Sequence, residues 1–265
     1  MLGRHGTPVA QLQELEGSIP RRPADKKERK ADRMNRRDIV VIGASAGGVS
    51  ALSEVASALP PKFPAVVLIV LHVGSNVSLL PELLTARGAN RAIHPQDGER
   101  LQTGTIYVAP PDHHMRVEGD TIRLTRGAKE HHTRPAIDPL FCSAALAGGA
   151  RVIGVILTGH GDDGTAGLQA VKACGGLAVV QDPTDAEQPS MPASALRHVR
   201  IDHCVPLRRL GDILAELAGQ AVEPAQQAAP PQLLIEHSVA TGGARGFSRA
   251  HGAAGGAAGA HRVPR

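Results

Sequence analysis

The sequence predicts an α/β fold: one doubly wound, mostly parallel sheet with helices on both faces and an appended antiparallel hairpin. Three observations predict it. Five short runs are β-branched or aliphatic and apolar on both faces, as parallel strands buried between helical layers must be. Helical patterns lie between those runs. One stretch, MRVEGDTIRL at 115–124, differs, because two short alternating segments flank Glu-Gly-Asp, the pattern of a hairpin.

Taken in order, the strands are expected at 38–42, 65–71, 105–109, 153–157 and 177–180. The helices are expected at 49–58, 78–87, 138–147, 164–173 and 191–199. In sheets of this kind the site lies beyond the carboxyl ends of the strands, so residues just after strands carry the interest. The flanks read otherwise. Residues 1–37 include RRPADKKERKADRMNRR, charged and without a sustained amphipathic period, and are expected to be a basic disordered tail. After Leu217, EPAQQAAPPQ breaks the pattern, and the Gly/Ala-rich TGGARGFSRAHGAAGGAAGAHRVPR has no means of burying a core. The expected organisation is therefore a basic tail at 1–37, a folded domain at 38–218 and a low-complexity tail at 219–265.

Composition narrows the function classes. Hydrophobic content is 42%, enough for a packed core, but aromatic content is 2%, with no Trp and one Tyr, so the core must be aliphatic. Base stacking on aromatic platforms is thereby disfavoured, and no nucleic-acid partner is expected. The net charge of +4 is uneven, since residues 1–37 hold ten Lys/Arg against five Asp/Glu and the rest holds nineteen against twenty. The basic balance belongs to the tail and says little about the folded surface. The N-terminus shows no apolar signal-peptide core, and AVVLIVL at 65–71 is too short to span a bilayer, so a cytoplasmic chain without membrane insertion is expected. Cys142, Cys174 and Cys204 are odd in number and widely spaced, which suits reduced thiols better than a disulfide framework.

VVIGASAGGVSAL at 40–52 ends an apolar run in a small-residue turn before a helical pattern. As a dinucleotide fingerprint it places Ser45 where the second glycine must let the backbone approach pyrophosphate, and no ribose-binding acid closes the next strand, which ends in His72. As a P-loop it lacks Gly-Lys-Ser/Thr. As a nucleophile elbow it fits, because Gly43-Ala44-Ser45-Ala46-Gly47 is G-x-S-x-G between strand and helix. The helix that begins beneath Ser45 offers free N–H groups and a positive end to an oxyanion. The plainer alternative is a serine N-cap in a glycine turn.

A serine hydroxyl needs a base, and His72 closes a strand expected to neighbour the first. The imidazole needs an orienting carboxylate, and GVILTGHGDDGTAGL at 154–168 brings Asp162 and Asp163 to a turn after a buried strand. Spacing does not choose between the two aspartates, and either can instead cap the following helix.

These segments resemble the catalytic domain of the chemotaxis receptor methylesterases, the CheB family. The resemblance runs from Asp38 to Leu217 and rests on IGASAGG, VLHVGS, DGERLQTGTIYVAPPDHHM, RPAIDPLF, GVILTGHGDDGTAGL, GGLAVVQDP and MPASAL, in order. It implies hydrolysis of glutamate methyl esters on the cytoplasmic helices of chemoreceptors, often with glutamine deamidation, and no cofactor or metal. It places the nucleophile at Ser45, the histidine at His72 and the aspartate at Asp163 rather than Asp162. It also implies oxyanion donors in the backbone near Ala46 and at His160. The family commonly has Met where His160 stands, and well-known members often have Thr where Ala46 stands. Typical members carry a phosphorylatable receiver domain ahead of the esterase domain. Residues 1–37 are too short for one, so the expectation is a separate regulatory protein or constitutive activity.

Two rival readings remain at the level of sequence. His113, His114, His131, His132 and His160 invite a metal-dependent hydrolase, although neighbouring His pairs converge poorly on one ion and zinc-type Cys/His spacing is missing. A non-catalytic receptor-binding module of the same fold is the other.

Overall fold

The computed structural model describes residues 36–73 and 77–222. The tails expected at either end lie almost wholly outside the described residues, as do residues 74–76, the first two of which close the VLHVGS segment.

The sheet has seven strands, all paired in parallel, in the order β3-β4-β2-β1-β7-β8-β9. Their ranges are β1 Ile39–Ala44, β2 Val66–Leu71, β3 Arg91–Ile93, β4 Thr105–Val108, β7 Val152–Ile156, β8 Leu177–Gln181 and β9 His203–Val205. The helices are α1 Gly48–Ala58, α2 Leu80–Arg87, α3 Ile137–Gly148, α4 Thr165–Ala173, α5 Ser190–His198 and α6 Leu207–Leu217. The hairpin forms as the alternation predicts. β5 His114–Glu118 pairs antiparallel with β6 Thr121–Thr125 across Gly119-Asp120, in a sheet of its own.

β1 shows why these runs become central strands. All six of its residues are buried, and alternate ones feed different cores. Ile39 and Val41 join one cluster with Leu140 and Phe141 of α3, Leu168 and Val171 of α4, Met191 of α5 and Met115 of the hairpin. Val40 and Ile42 join the other with Leu52 and Val55 of α1, Leu84 of α2 and Leu210 and Leu214 of α6. The period-2 alternation of a strand thus puts one helical layer on each face. The single tyrosine, Tyr107, is fully buried, and its hydroxyl donates to the Arg100 carbonyl at 3.2 Å.

Among the described residues, two strands and one α-helix go beyond the sequence expectation: β3, β9 and α6. The strands have three residues each and stand at the two edges of the sheet. At the boundaries, Arg37 N–H donates to the Gln220 carbonyl at 2.9 Å and Gly219 N–H to the Arg37 carbonyl at 2.7 Å. Residues just outside the expected 38–218 segment therefore pair with each other.

The strand order sets the position of the site. From β1 the chain passes to the neighbouring β2, then to the edge strand β3 and back to β4 between them, before it returns to β1's other edge with β7, β8 and β9. The order reverses at β1, and the crevice beyond the carboxyl ends of β2, β1 and β7 is the topological switch point.

Candidate active site

Ser45 follows β1, His72 follows β2 and Asp163 lies in the turn after β7, so three adjacent strands deliver three side chains to one crevice. His72 bridges the other two. Its Nε2 is 2.8 Å from Asp163 Oδ2 and its Nδ1 is 3.2 Å from Ser45 Oγ. With Nε2–H donating to the carboxylate, Nδ1 turns its lone pair to the Ser45 hydroxyl. His72 is 12% exposed and Asp163 only 3%.

The elbow is held by backbone and by one threonine. Ser45 N–H donates to the Thr158 carbonyl at 3.0 Å, and Gly48 N–H donates to the Ser45 carbonyl at 2.8 Å. Thr158 Oγ1 donates to the Ala46 carbonyl at 2.9 Å and accepts the Gln188 N–H at 2.8 Å. Gln181 Oε1 accepts the Thr158 N–H at 2.9 Å. Thr158, Gln181 and Gln188 therefore fix the turn. Sequence reasoning missed them, because each is more than 100 residues from the serine along the chain. The N-cap of α1 is Gly47 at φ 76°, and no side chain caps that helix. Ser45 consequently keeps its hydroxyl for His72 instead of spending it as a cap.

Asp163 is held from the other side. Ile137 N–H donates to its Oδ2 at 2.8 Å and Asp138 N–H to its Oδ1 at 3.0 Å, both from the first turn of α3. A helix N-terminus is a natural seat for a carboxylate. Burial alone would raise the Asp163 pKa, but the hydrogen bond from His72, the Ile137 N–H, the charge of His72 and the Asp138 N–H together hold it below the usual value. Asp162, beside it, is 70% exposed and has His131 Nδ1 at 3.5 Å. Neither aspartate side chain caps α4, whose N-cap is Gly164.

Gly43 makes this closure possible. A Cβ there would meet Ile137 Cγ2 at 2.5 Å, so only glycine lets the start of α3 lie across β1 and reach the carboxylate.

Of the two backbone donors expected for an oxyanion, Ala46 sits in the elbow, and its N–H has no acceptor among the described residues. His160 is exposed, and its N–H likewise has none. Its neighbour Gly159 lies against Ser45, since a Cβ there would come within 2.7 Å of the Ser45 Cβ. Both N–H groups thus belong to backbone that borders the serine. A cleft of about 770 Å³ opens over Ser45 and His72 and runs between α1 and α2, lined also by Val49, Ser53, Arg87 and Glu187.

The other histidines serve different ends. His114 Nε2 donates to the Ala128 carbonyl at 2.9 Å while its Nδ1 accepts the Ala136 N–H at 3.3 Å, and burial lowers its pKa. His113 Nε2 accepts from Arg126 Nε at 3.2 Å. Among the described residues, one set brings potential metal-ligand atoms within 4.8 Å of one another: His131, Asp138 and Asp163. Its carboxylate oxygens already accept from His72, His131 and the N–H groups of Ile137, Asp138 and Gly167. Those bonds would have to be surrendered to an ion. The described cysteines form no disulfide, and burial raises the pKa of Cys174, which makes it a poor nucleophile.

The fold and this crevice have counterparts in known proteins. The family model described as CheB methylesterase matches residues 40–214. A protein-glutamate methylesterase/protein-glutamine glutaminase of Methanosarcina mazei is 34% identical over 215 residues, covering 78% of this chain and 59% of that protein. One from Anaeromyxobacter dehalogenans is 35% identical over 195 residues, covering 69% of this chain and 52% of its own length. The chain thus spans little more than half of these relatives. The crystal structure of the Thermotoga maritima CheB methylesterase catalytic domain is 32% identical, covers 68% of this chain and 98% of that one, and superposes with a TM-score of 0.65. A match across nearly every strand and helix described above, together with a solved catalytic domain aligned over almost its whole length, means that the chain belongs to the CheB methylesterase family of carboxylic ester hydrolases.

Proposed function

We propose that the chain is a protein-glutamate methylesterase that hydrolyses glutamate methyl esters on the cytoplasmic helices of chemoreceptors by acyl transfer through Ser45, His72 and Asp163. The observation that carries this reading is the bridge made by His72, 3.2 Å from Ser45 Oγ and 2.8 Å from Asp163 Oδ2. In this reading His72 takes the Ser45 proton as Oγ attacks the ester carbonyl. The tetrahedral oxyanion draws on the Ala46 and His160 N–H groups, each such donor being worth on the order of 3 kcal/mol. The imidazolium returns its proton to the departing methoxide, and methanol leaves. A water, deprotonated by His72, then cleaves the acyl-enzyme and frees the glutamate carboxylate and Ser45. Asp163 holds the imidazole in one tautomer and offsets its charge at the two moments when it is protonated. With a glutamine side chain the same cycle releases ammonia, which is glutamine deamidation.

No step calls on a metal or an organic cofactor. Residues 38–218 form the catalytic domain in this reading, and methylated chemoreceptor is the partner. The site then works in the cytoplasm. Among the described residues no helix is long and apolar enough to cross a membrane. The test is methanol release from methylated receptor by the purified chain. Release that disappears in Ser45→Ala supports the reading, and no release by the folded wild-type chain refutes it.

A further inference from the structure

Behind the Asp163 carboxylate lies a second histidine–carboxylate pair for which acyl transfer has no use. Asp138, the second residue of α3, is buried. Its Oδ1 accepts the Gly167 N–H at 2.6 Å and its Oδ2 faces His131 Nε2 at 2.9 Å. Its own N–H is one of the two that hold Asp163. His131 comes from the loop between the hairpin and α3. It stands at φ 49°, a conformation that non-glycine residues seldom adopt, and its Nε2 is also 3.8 Å from Asp163 Oδ1. One imidazole therefore touches Asp138 and lies within ion-pair distance of the far oxygen of Asp163, while His72 holds the near one.

We propose that His131 and Asp138 are positioning residues that set the proton affinity of His72 through the Asp163 carboxylate. The proposal rests on the assignment of His72 as base. Its physics is that of neighbouring buried carboxylates, which cannot both stay charged without a cation or a proton. Burial and the charge of Asp163 push the Asp138 carboxyl up to about 6. Burial would lower His131, but Asp163, Asp138 and Asp162 outweigh it and raise it. When His131 and Asp138 share one proton the pair has no net charge, and Asp163 is left as the anion that His72 faces. The groups facing the pair are Asp163 and exposed Asp162 from the turn before α4, the Gly167 N–H of α4, and His72 beyond Asp163 at the end of β2. Glu130, in the same loop as His131, is turned to Arg116 at 3.4 Å.

Unbalancing the pair should move His72 in opposite directions. His131→Gln leaves Asp138 without its cation, adds negative charge near Asp163 and makes His72 harder to deprotonate. Asp138→Asn leaves any proton on His131 uncompensated and makes His72 easier to deprotonate. Charges at this range, partly offset by proton uptake or release within the pair, should shift the midpoint by roughly half a pH unit each way. The experiment is a titration of the His72 imidazole by NMR in the full-length chain labelled with 15N-histidine. The acidic limb of kcat/KM on a small methyl ester is recorded alongside. The expected result is a higher midpoint for His131→Gln, a lower one for Asp138→Asn, and a return to the wild-type midpoint in the double variant, where one pair without net charge replaces another. Midpoints that stay put, or that move the same way in both single variants, would overturn the proposal. Purely structural damage would lower the rate plateau without this opposition of sign. His131 lies on a part-exposed loop, so His131→Gln decides the matter alone should Asp138→Asn not fold. The NMR midpoint needs no turnover, so a chain that cleaved no ester would refute the proposed function and leave this test intact.

Discussion

The turns after β1 and β7 have nearly the same local construction and opposite fates. Each leads from a buried strand into a helix whose N-cap is a left-handed glycine, Gly47 at φ 76° and Gly164 at φ 92°, with no side-chain cap. Each presents a polar side chain shortly before that glycine, Ser45 two residues ahead of Gly47 and Asp163 one residue ahead of Gly164. Yet Ser45 opens onto a cleft, while Asp163 is 3% exposed and held by two N–H groups of α3. The difference is not in the turns but in what crosses over them. Helix α3 closes on the second turn because Gly43 leaves room for Ile137. Nothing equivalent covers the first among the described residues. The same piece of local structure can hold a reactive group in the open or fix a charged one in the interior, and the covering element decides which.

The largest effect should come from removing the open group. Ser45→Ala should keep the fold and lose at least about a thousandfold in esterase rate, as deletions of a nucleophile from a triad do. Steady-state methanol release on protein whose circular dichroism matches wild type checks this. Retained turnover would mean that the exposed turn is not the nucleophile's.

Removing the buried charge should come next. Asp163→Asn keeps the size but offers no anion to His72, and should cost roughly a thousandfold in kcat with a smaller change in KM. A KM effect alone would place Asp163 in substrate binding instead.

The covering element can itself be displaced. Gly43→Val puts branched carbon where Ile137 lies and should destabilise the chain by about 1–3 kcal/mol, read from urea unfolding. Because Ile137 also holds Asp163, kcat should fall more than it does for a substitution of like cost at a site remote from α3. Equal falls would separate packing from the site.

The smallest effect concerns acid. Asp163 is held below its usual pKa, so the stability it contributes is fully present above the ordinary Asp value near 4 and is lost as pH falls through the lower folded value. The melting temperature of Asp163→Asn should therefore decline less steeply than wild type below about pH 4. Parallel curves would show that burial cancels its hydrogen bonds, and a steeper decline in Asp163→Asn would show that burial outweighs them. Asp138, raised to about 6, works in the opposite sense at higher pH, favouring the folded state as pH falls from about 6 toward 4. The two windows do not overlap.

Much of this architecture was legible in the chain, because the signals were local. The β1, β2 and β7 runs are continuous aliphatic stretches, and such stretches have few ways to be buried other than between two helical layers. The pentad at 43–47 excludes large side chains where the chain must turn sharply, so the elbow is written in its composition. The hairpin follows from alternation interrupted by Gly119. Short edge strands were less legible, since His203-Cys204-Val205 is only partly buried and carries no apolar alternation. Helix α6 was obscured by the interior Gly211, which lowers helix propensity but faces Ala58 of α1.

The residue numbers of the site were therefore set locally, and its order in space was not. Spacing alone left Asp162 and Asp163 as equals. What separates them is that the N–H groups of Ile137 and Asp138 arrive from 26 and 25 residues away to take one carboxylate and leave the other in water. Thr158 reaches Ala46 across 112 residues, and the pairing of His131 with Asp138 beside Asp163 needs a loop, a helix and a turn to meet. Patterns of hydrophobicity report whether a side chain is buried. They do not report which donor stands opposite it, because a hydrogen-bond partner is chosen by the packing of elements distant in the chain, and that packing exists only once the sheet and its two helical layers have closed.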